Sequence, residues 1–235
     1  VNNTIIQLKV KQRLNKIASL DYDNIECWQI VEAFNKGQVN WCRRNLHGLN
    51  VKQMGDEQSK AKIDDLQILL TEKLIPMAKK DLYVESNSIL PSNYFEWKRI
   101  SAKAGNDCCE ELKAMMIFLA EEANVDELLR DKHKQPNFEW GETFCTLKGN
   151  KVRIYTNNEF DLEEANMSYY RQPIRIEILG CVNPFTQLTS TVDIECEFKD
   201  DIVELFVDEA VKILAGDIES LNQQQTATNQ VEGNN

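Results

Sequence analysis

The residues of this chain whose types and spacing come nearest to chemistry lie towards its end. Asp193, Glu195, Glu197 and Lys199 occupy alternate positions, and Glu197-x-Lys199 has the acidic-x-lysine pattern of metal-dependent nucleases. In such enzymes carboxylates hold Mg²⁺ and the lysine stands near the attacked phosphate. The wet face of any half-exposed strand shows the same residues, and no further acid is placed to complete a site. His47 and His133 are the only histidines, and Cys42 has no CxxC or HxxxH partner, so no zinc set forms. Cys108 and Cys109 with His133 do not make a nucleophilic triad. Phosphate-cradling GxxxxGK and GxGxxG patterns are absent. Four acidic doublets, Asp64-Asp65, Glu121-Glu122, Glu163-Glu164 and Asp200-Asp201, lack EF-hand spacing and read as solvated surface. The sequence thus assigns no catalytic, cofactor-binding or metal-binding residue.

Two features point to contacts rather than turnover. Tyr169-Tyr170-Arg171-Gln172-Pro173 is a compact aromatic–arginine–proline cluster, of residue types favoured at protein interfaces. A strand edge with one buried tyrosine accounts for it equally well. The second feature is a helix expected from Asp201, with Asp201 and Glu204 as a capping-box pair. Asp201, Glu204, Asp208, Lys212, Ala215 and Glu219 line one side of it. Ile202, Val203, Phe206, Val207, Ala210, Ile213 and Leu214 cover the other, with Glu209 at the margin. That apolar face is wider than packing on one sheet requires. It serves either the protein's own body or a neighbouring subunit. The candidate subunit-interface residues are Tyr170, Arg171, Pro173, Phe206, Ala210 and Ile213.

Elements of one type cluster along the chain, giving an α+β layout. Residues 1–62 read as a helical N-terminal region with a linker. Thr4 and Gln7 suggest a capping box, and Ile6, Val10, Leu14 and Ile17 recur on one face. Asp23 with Glu26 marks a second helix start, followed by the stripe Cys27, Ile30, Val31 and Phe34, continued less strictly by Trp41 and Leu46. Gly48 to Lys62 is polar and reads as a long loop. Residues 63–199 read as a β-rich body. Leu66 to Leu70 is a strand-like run ending before Pro76, Leu82 to Val84 another, and Trp97 to Lys103 alternates. Leu112 to Leu119 is apolar on both faces, as in a central strand, and Asn124 caps a short helix. Glu142 to Leu147 and Val152 to Tyr155 make a hairpin about Lys148-Gly149-Asn150. Phe160 to Ile178 is mixed, with Pro173 demoting it to an edge. Val192 to Lys199 alternates as a strand. Residues 200–222 form the long C-terminal helix, and 223–235 an extended Gln- and Asn-rich tail too poor in apolar residues to order itself.

The chain has 235 residues and a net charge of −11, which opposes tight binding to nucleic acid. Seven cysteines without framework spacing read as reduced, mostly buried thiols of a cytosolic setting. No apolar run approaches the ~20 residues of a membrane helix, and Val1 to Gln7 lacks a signal-peptide layout.

The run from Cys196 to Ser220 resembles the closing helix of tailed-phage virion proteins. Tyr170-Arg171-x-Pro173 and the aromatic stretch Leu90 to Arg99, with Tyr94, Phe95 and Trp97, add to the likeness. Over most of its length the chain is similar to structural ring proteins of crAss-like bacteriophages. The resemblance implies a non-enzymatic head–tail connector stacked between portal and tail tube. It would close into a ring of dodecameric symmetry about the DNA channel. The implied partners are further copies of the chain, other portal, neck or tail proteins, and genomic DNA in non-specific passage. No catalytic residue comes with the resemblance, and neither a membrane nor a cofactor is expected as a partner. The implied location is the virion, after assembly in the host cytoplasm. Two alternatives stand beside it: a small metal-dependent phage nuclease using Glu197 and Lys199, and a transient assembly factor.

Overall fold

The computed structural model describes residues 2–17, 25–47, 64–106 and 109–217. Within the α+β class it forms two compact units. Val1–Ile68 and Pro173–Asn235 make one, and Leu69–Gln172 makes the other. The division differs from the expected body of residues 63–199, because residues 173–199 belong with the helices. The loop at 48–62 and the tail at 223–235 lie outside the described residues.

The helical unit contains α1 (Asn3–Ile17), α2 (Cys27–His47) and the C-terminal helix, here α4 (Asp200–Asp217). The stripe on α1 behaves as its spacing predicts, with Ile6, Val10 and Leu14 fully buried. Its first turn is held by Asn2, whose Oδ1 accepts from Thr4 N at 2.8 Å, rather than by Thr4 itself. At the start of α2 the Gln29 side chain accepts from Glu26 N at 3.0 Å, one half of a reciprocal cap. Asp23 lies outside the described residues.

Both α1 and α2 pack on α4, and this explains the width of its apolar face. One stripe meets each partner helix, so Val203, Phe206, Val207, Ala210 and Ala215 are all fully buried. Where α2 crosses α4, a Cβ on Gly37 would stand 3.3 Å from both Glu209 Cβ and Phe206 O. Glycine lets the two backbones approach. Around this crossing Phe34, Trp41 and Phe198 each meet the Phe206 ring edge to face, with centroids 5.8, 5.4 and 5.1 Å away, a favoured aromatic geometry.

The other unit is a closed barrel of strands β1 (Leu70–Lys79), β2 (Tyr83–Ser86), β3 (Tyr94–Asn106), β4 (Cys109–Leu119), β5 (Glu142–Lys148), β6 (Lys151–Tyr155) and β7 (Glu164–Arg171). Their order around the barrel is β1-β2-β6-β5-β4-β3-β7. All pairs are antiparallel except β4–β5, which a parallel pair requires a crossover to join. The crossover carries the short helix α3 (Val125–Arg130). Asn124 is its N-cap residue by position, but its side chain makes no capping hydrogen bond.

Several strand expectations are corrected. Asp64 to Leu69 is helical, and β1 runs through Pro76 rather than stopping before it. Pro76 stands where β1 hands over from β7 to β2: residues 70–76 pair with β7 and 77–79 with β2. A residue without an N–H is tolerated at such a break in the ladder. The mixed run before Pro173 is a regular strand, β7, that closes the barrel by pairing with both β1 and β3. The expected hairpin forms, with Gly149 and Asn150 both at positive φ (57° and 59°), the backbone of a two-residue I′ turn.

Side chains from every strand fill the barrel, among them Ile75, Val84, Ile100, Met115, Ile154 and Met167. Outside it, α3 covers a smaller apolar cluster of Val125, Phe144 and Tyr155. Strand β4 is not buried on both faces. Met115 and Ile117 point into the core, whereas Leu112, Met116 and Phe118 are exposed.

Candidate interaction surfaces

Residues 173–199 form no sheet with the helical unit, yet their backbone must still be satisfied. Buried amides on the helices do this. Asn35 of α2 donates through Nδ2 to Ile176 O at 3.2 Å and accepts at Oδ1 from Ile176 N at 2.8 Å. One side chain thereby satisfies both polar groups of a residue, as a neighbouring strand would. Asn3 of α1 donates to Glu177 O at 2.9 Å and Ile194 O at 3.0 Å. Gln38 donates to Cys196 Sγ at 3.2 Å. The expected strand from Val192 to Lys199 is absent for this reason. It keeps the alternation, with Cys196 and Phe198 buried and Glu195 exposed, but has only an isolated bridge between Ile194 and Glu177.

Beyond that bridge the chain turns back as a small hairpin. Val182 bridges Thr189, Asn183 N donates to Leu188 O at 3.0 Å, and Ser190 N donates to Cys181 O at 2.9 Å. Asn183 Oδ1 accepts from Phe185 N at 2.9 Å and tightens the turn. The hairpin is mounted firmly. Cys181 is disulfide-bonded to Cys27 at the start of α2, with Cα atoms 5.8 Å apart, and Trp28 meets Phe185 edge-on at 5.4 Å. It nonetheless presents Leu179, Val182, Phe185 and Leu188 to solvent, Phe185 80% and Leu188 70% exposed.

The disulfide overturns the expectation that the cysteines are all reduced, because the fold brings together two residues 154 apart in sequence. Cys42, Cys145 and Cys196 are free and buried. Burial pushes the Cys42 and Cys145 thiols up to about 12, so both are neutral packing groups near pH 7.

Three of the four residues in the nuclease-like pattern have structural roles: Asp193 and Lys199 tie residues 173–199 to the rest of the unit, Glu197 braces that stretch internally, and Glu195 is exposed. Glu197 accepts from Ile174 N at 2.9 Å, Lys199 pairs with Asp64 and Asp65, and Asp193 accepts from Asn3 at 2.7 Å. Among the described residues, no group of three or more His, Cys, Asp or Glu side chains is arranged to hold a metal ion. His133 is exposed on the crossover between β4 and β5, and Cys42 is buried in α2. The side chains of His47 and Cys109, and all of Cys108, lie outside the described residues.

The six candidate interface residues separate. Phe206 and Ala210 are fully buried between the helices of their own chain and offer nothing to a neighbour. Ile213 is half-buried. Tyr170 and Arg171 are half-buried at the end of β7, with Lys98 Nζ 5.7 Å from the centroid of the Tyr170 ring. Pro173 is buried, just past the boundary between the two units.

Charges on α4 are also internal. Glu204 pairs with Lys9 and Arg13 of α1, and Arg13 reaches Asp208 as well. Burial works against the Glu204 carboxylate, but the Lys9 hydrogen bond and the Arg13 charge outweigh it and hold its pKa below the usual range. Glu204 is therefore a bridge to α1 rather than part of a cap. Glu209, nearly buried, pairs with Arg44 of α2 at 2.6 Å.

The barrel's outer wall carries a groove of about 590 Å³, lined among others by Leu74, Leu112 and Ala114 and by Asp161, Glu163 and Glu164. The hairpin at 177–194 and this groove are the surfaces that the sequence reading missed. A signal for the first exists: no charged residue stands between Glu177 and Asp193. The chain matches no known family model and no curated protein.

Proposed function

We propose that the protein is a structural subunit of a tailed-phage virion. In this reading it assembles through heterologous contacts into a ring of the neck or tail that joins head to tail and surrounds the passing DNA. The observation that carries the reading is the hairpin at 177–194, fixed to α2 by a disulfide and an aromatic contact while its apolar residues face solvent. Ordered apolar surface on a rigid mount is the signature of a docking element. The resemblance of the sequence to phage ring proteins supports the same reading. The barrel core is filled with side chains, so the DNA path of such a ring runs between copies, not through a barrel.

The reading is tested by fractionating purified particles. A ring component stays with them at fixed copy number, and a transient assembly factor leaves before maturation. A chain found only in soluble lysate and never in particles defeats the proposal.

A further inference from the structure

We propose that two copies of this chain join head to tail, with the outward ridge of α1 of one copy seated in the groove on the barrel wall of the next. The inference names one pair of contacting surfaces for the ring proposed above, separate from the hairpin at 177–194, and rests on that reading for its biological setting.

The two surfaces match in apolar character and in charge. Helix α1 is amphipathic in an unusual way. One face is sealed by Ile6, Val10 and Leu14, yet Ile5 and Leu8 on the opposite side are 45% and 63% exposed. Residues 1–17 hold four cations and no acid in a chain of net charge −11. Lys9 and Arg13 are committed to α4, whereas Lys11 forms no ion pair with a described residue and stands one turn beyond Leu8. The outward face is therefore two aliphatic side chains followed by the exposed Gln12, with the half-buried Lys11 at its flank.

The groove offers the complement. Leu74 and Leu112 in its lining are 57% and 66% exposed, and Ala114 of β4 lines it as well. Among the described residues that line it are three carboxylates, Asp161, Glu163 and Glu164, and one cation, Lys103. Asp161 is answered by Lys79 at 2.6 Å, but Glu163 and Glu164 make no ion pair with a described residue. Opposite charges around matched apolar centres fix register and speed encounter. Because the ridge and the groove are different surfaces, the contact is heterologous and repeats from copy to copy.

The test uses the full chain in analytical ultracentrifugation and native mass spectrometry at low salt. Wild type should associate with rising concentration, and more weakly as salt rises. Leu8→Glu and Leu112→Glu, both at exposed positions, should each weaken association by about 10- to 100-fold, as burial of one leucine implies. An equimolar mixture of the two variants retains one intact junction and should stop at a 1:1 dimer. Lys11→Glu should weaken association, and adding Glu164→Lys should restore it. Circular dichroism checks that each variant is folded. If wild type assembles and the Leu8 and Leu112 variants assemble equally well, this docking is wrong while the ring reading stands. A wild type that stays monomeric at every concentration also overturns it. Absence from particles would instead defeat the ring reading and leave the self-association intact.

Discussion

The helical unit and the barrel are held together in opposite ways. The barrel is one continuous stretch of chain whose backbone bonds close on themselves, so its integrity is spread over seven strands. The helical unit is drawn from two distant stretches, and residues 173–199 are attached to it by individual side chains: Asn3, Asn35, Gln38 and one disulfide. A sheet repeats its hydrogen-bonding rule at every residue, whereas this attachment depends on a few amides being in the right places. The helical unit should therefore be the more sensitive to single substitutions that delete a polar group.

The strongest challenge to that contrast is Phe206→Ala. It removes the ring shared by Phe34, Trp41 and Phe198, and should cost about 3–5 kcal/mol in denaturant unfolding. Next is Arg44→Met, which strands the nearly buried Glu209 carboxylate. The Arg44 side chain is partly exposed, so the expected cost falls below that of a fully buried pair, at about 2–3 kcal/mol. The Arg44→Met, Glu209→Leu double variant should recover much of it. Asn35→Ala leaves both backbone groups of Ile176 unanswered and should cost about 2 kcal/mol. Hydrogen exchange should accelerate at residues 174–178 and leave the barrel amides unchanged. An unchanged pattern would remove the amide attachment from the account.

The acid response of Glu204 sharpens the comparison further. Its pKa is lowered in the folded chain, against an unfolded value of about 4.3. The stability it contributes is fully present above the unfolded pKa and is lost as pH falls through the folded one. The Tm gap between wild type and Glu204→Gln should be constant near neutrality, narrow below about pH 4, and close in stronger acid. The smallest effect is expected on the barrel wall: Met116→Ser, at an exposed position, should change stability by no more than about 0.5 kcal/mol. A large loss there would mean that the outer face of β4 is not solvent-facing.

What could be read from sequence was what is local. The stripe Ile6, Val10, Leu14 and the turn Gly149-Asn150 are decided by neighbours within a few residues, and both stand as read. Pro76 misled because the break in β1 comes from a change of partner strand, which local pattern does not encode. Phe206 and Ala210 stood open between core and interface because a helical wheel shows how wide an apolar face is, not how many helices share it. The 192–199 segment kept its alternation without its strand, since burial periodicity and ladder bonding have different causes. The attachment through Asn35 and Gln38 was visible only as two amides placed among buried positions of α2. The pairing of Cys27 with Cys181 had no local trace.

One detail of the barrel bears on how such a chain can change over generations. Leu70 and Tyr170 are partners on adjacent strands, so the barrel begins and ends within about 5 Å, the spacing of neighbouring strands. Everything between those residues can therefore be regarded as a cassette with a single narrow mouth. A recombination event that swapped residues 69–172 for another module with adjoining ends, or for a short turn, would present the remaining chain with the same gap to bridge. The barrel wall, and whatever it docks, can be exchanged wholesale without redrawing the helices that surround the insertion point in sequence.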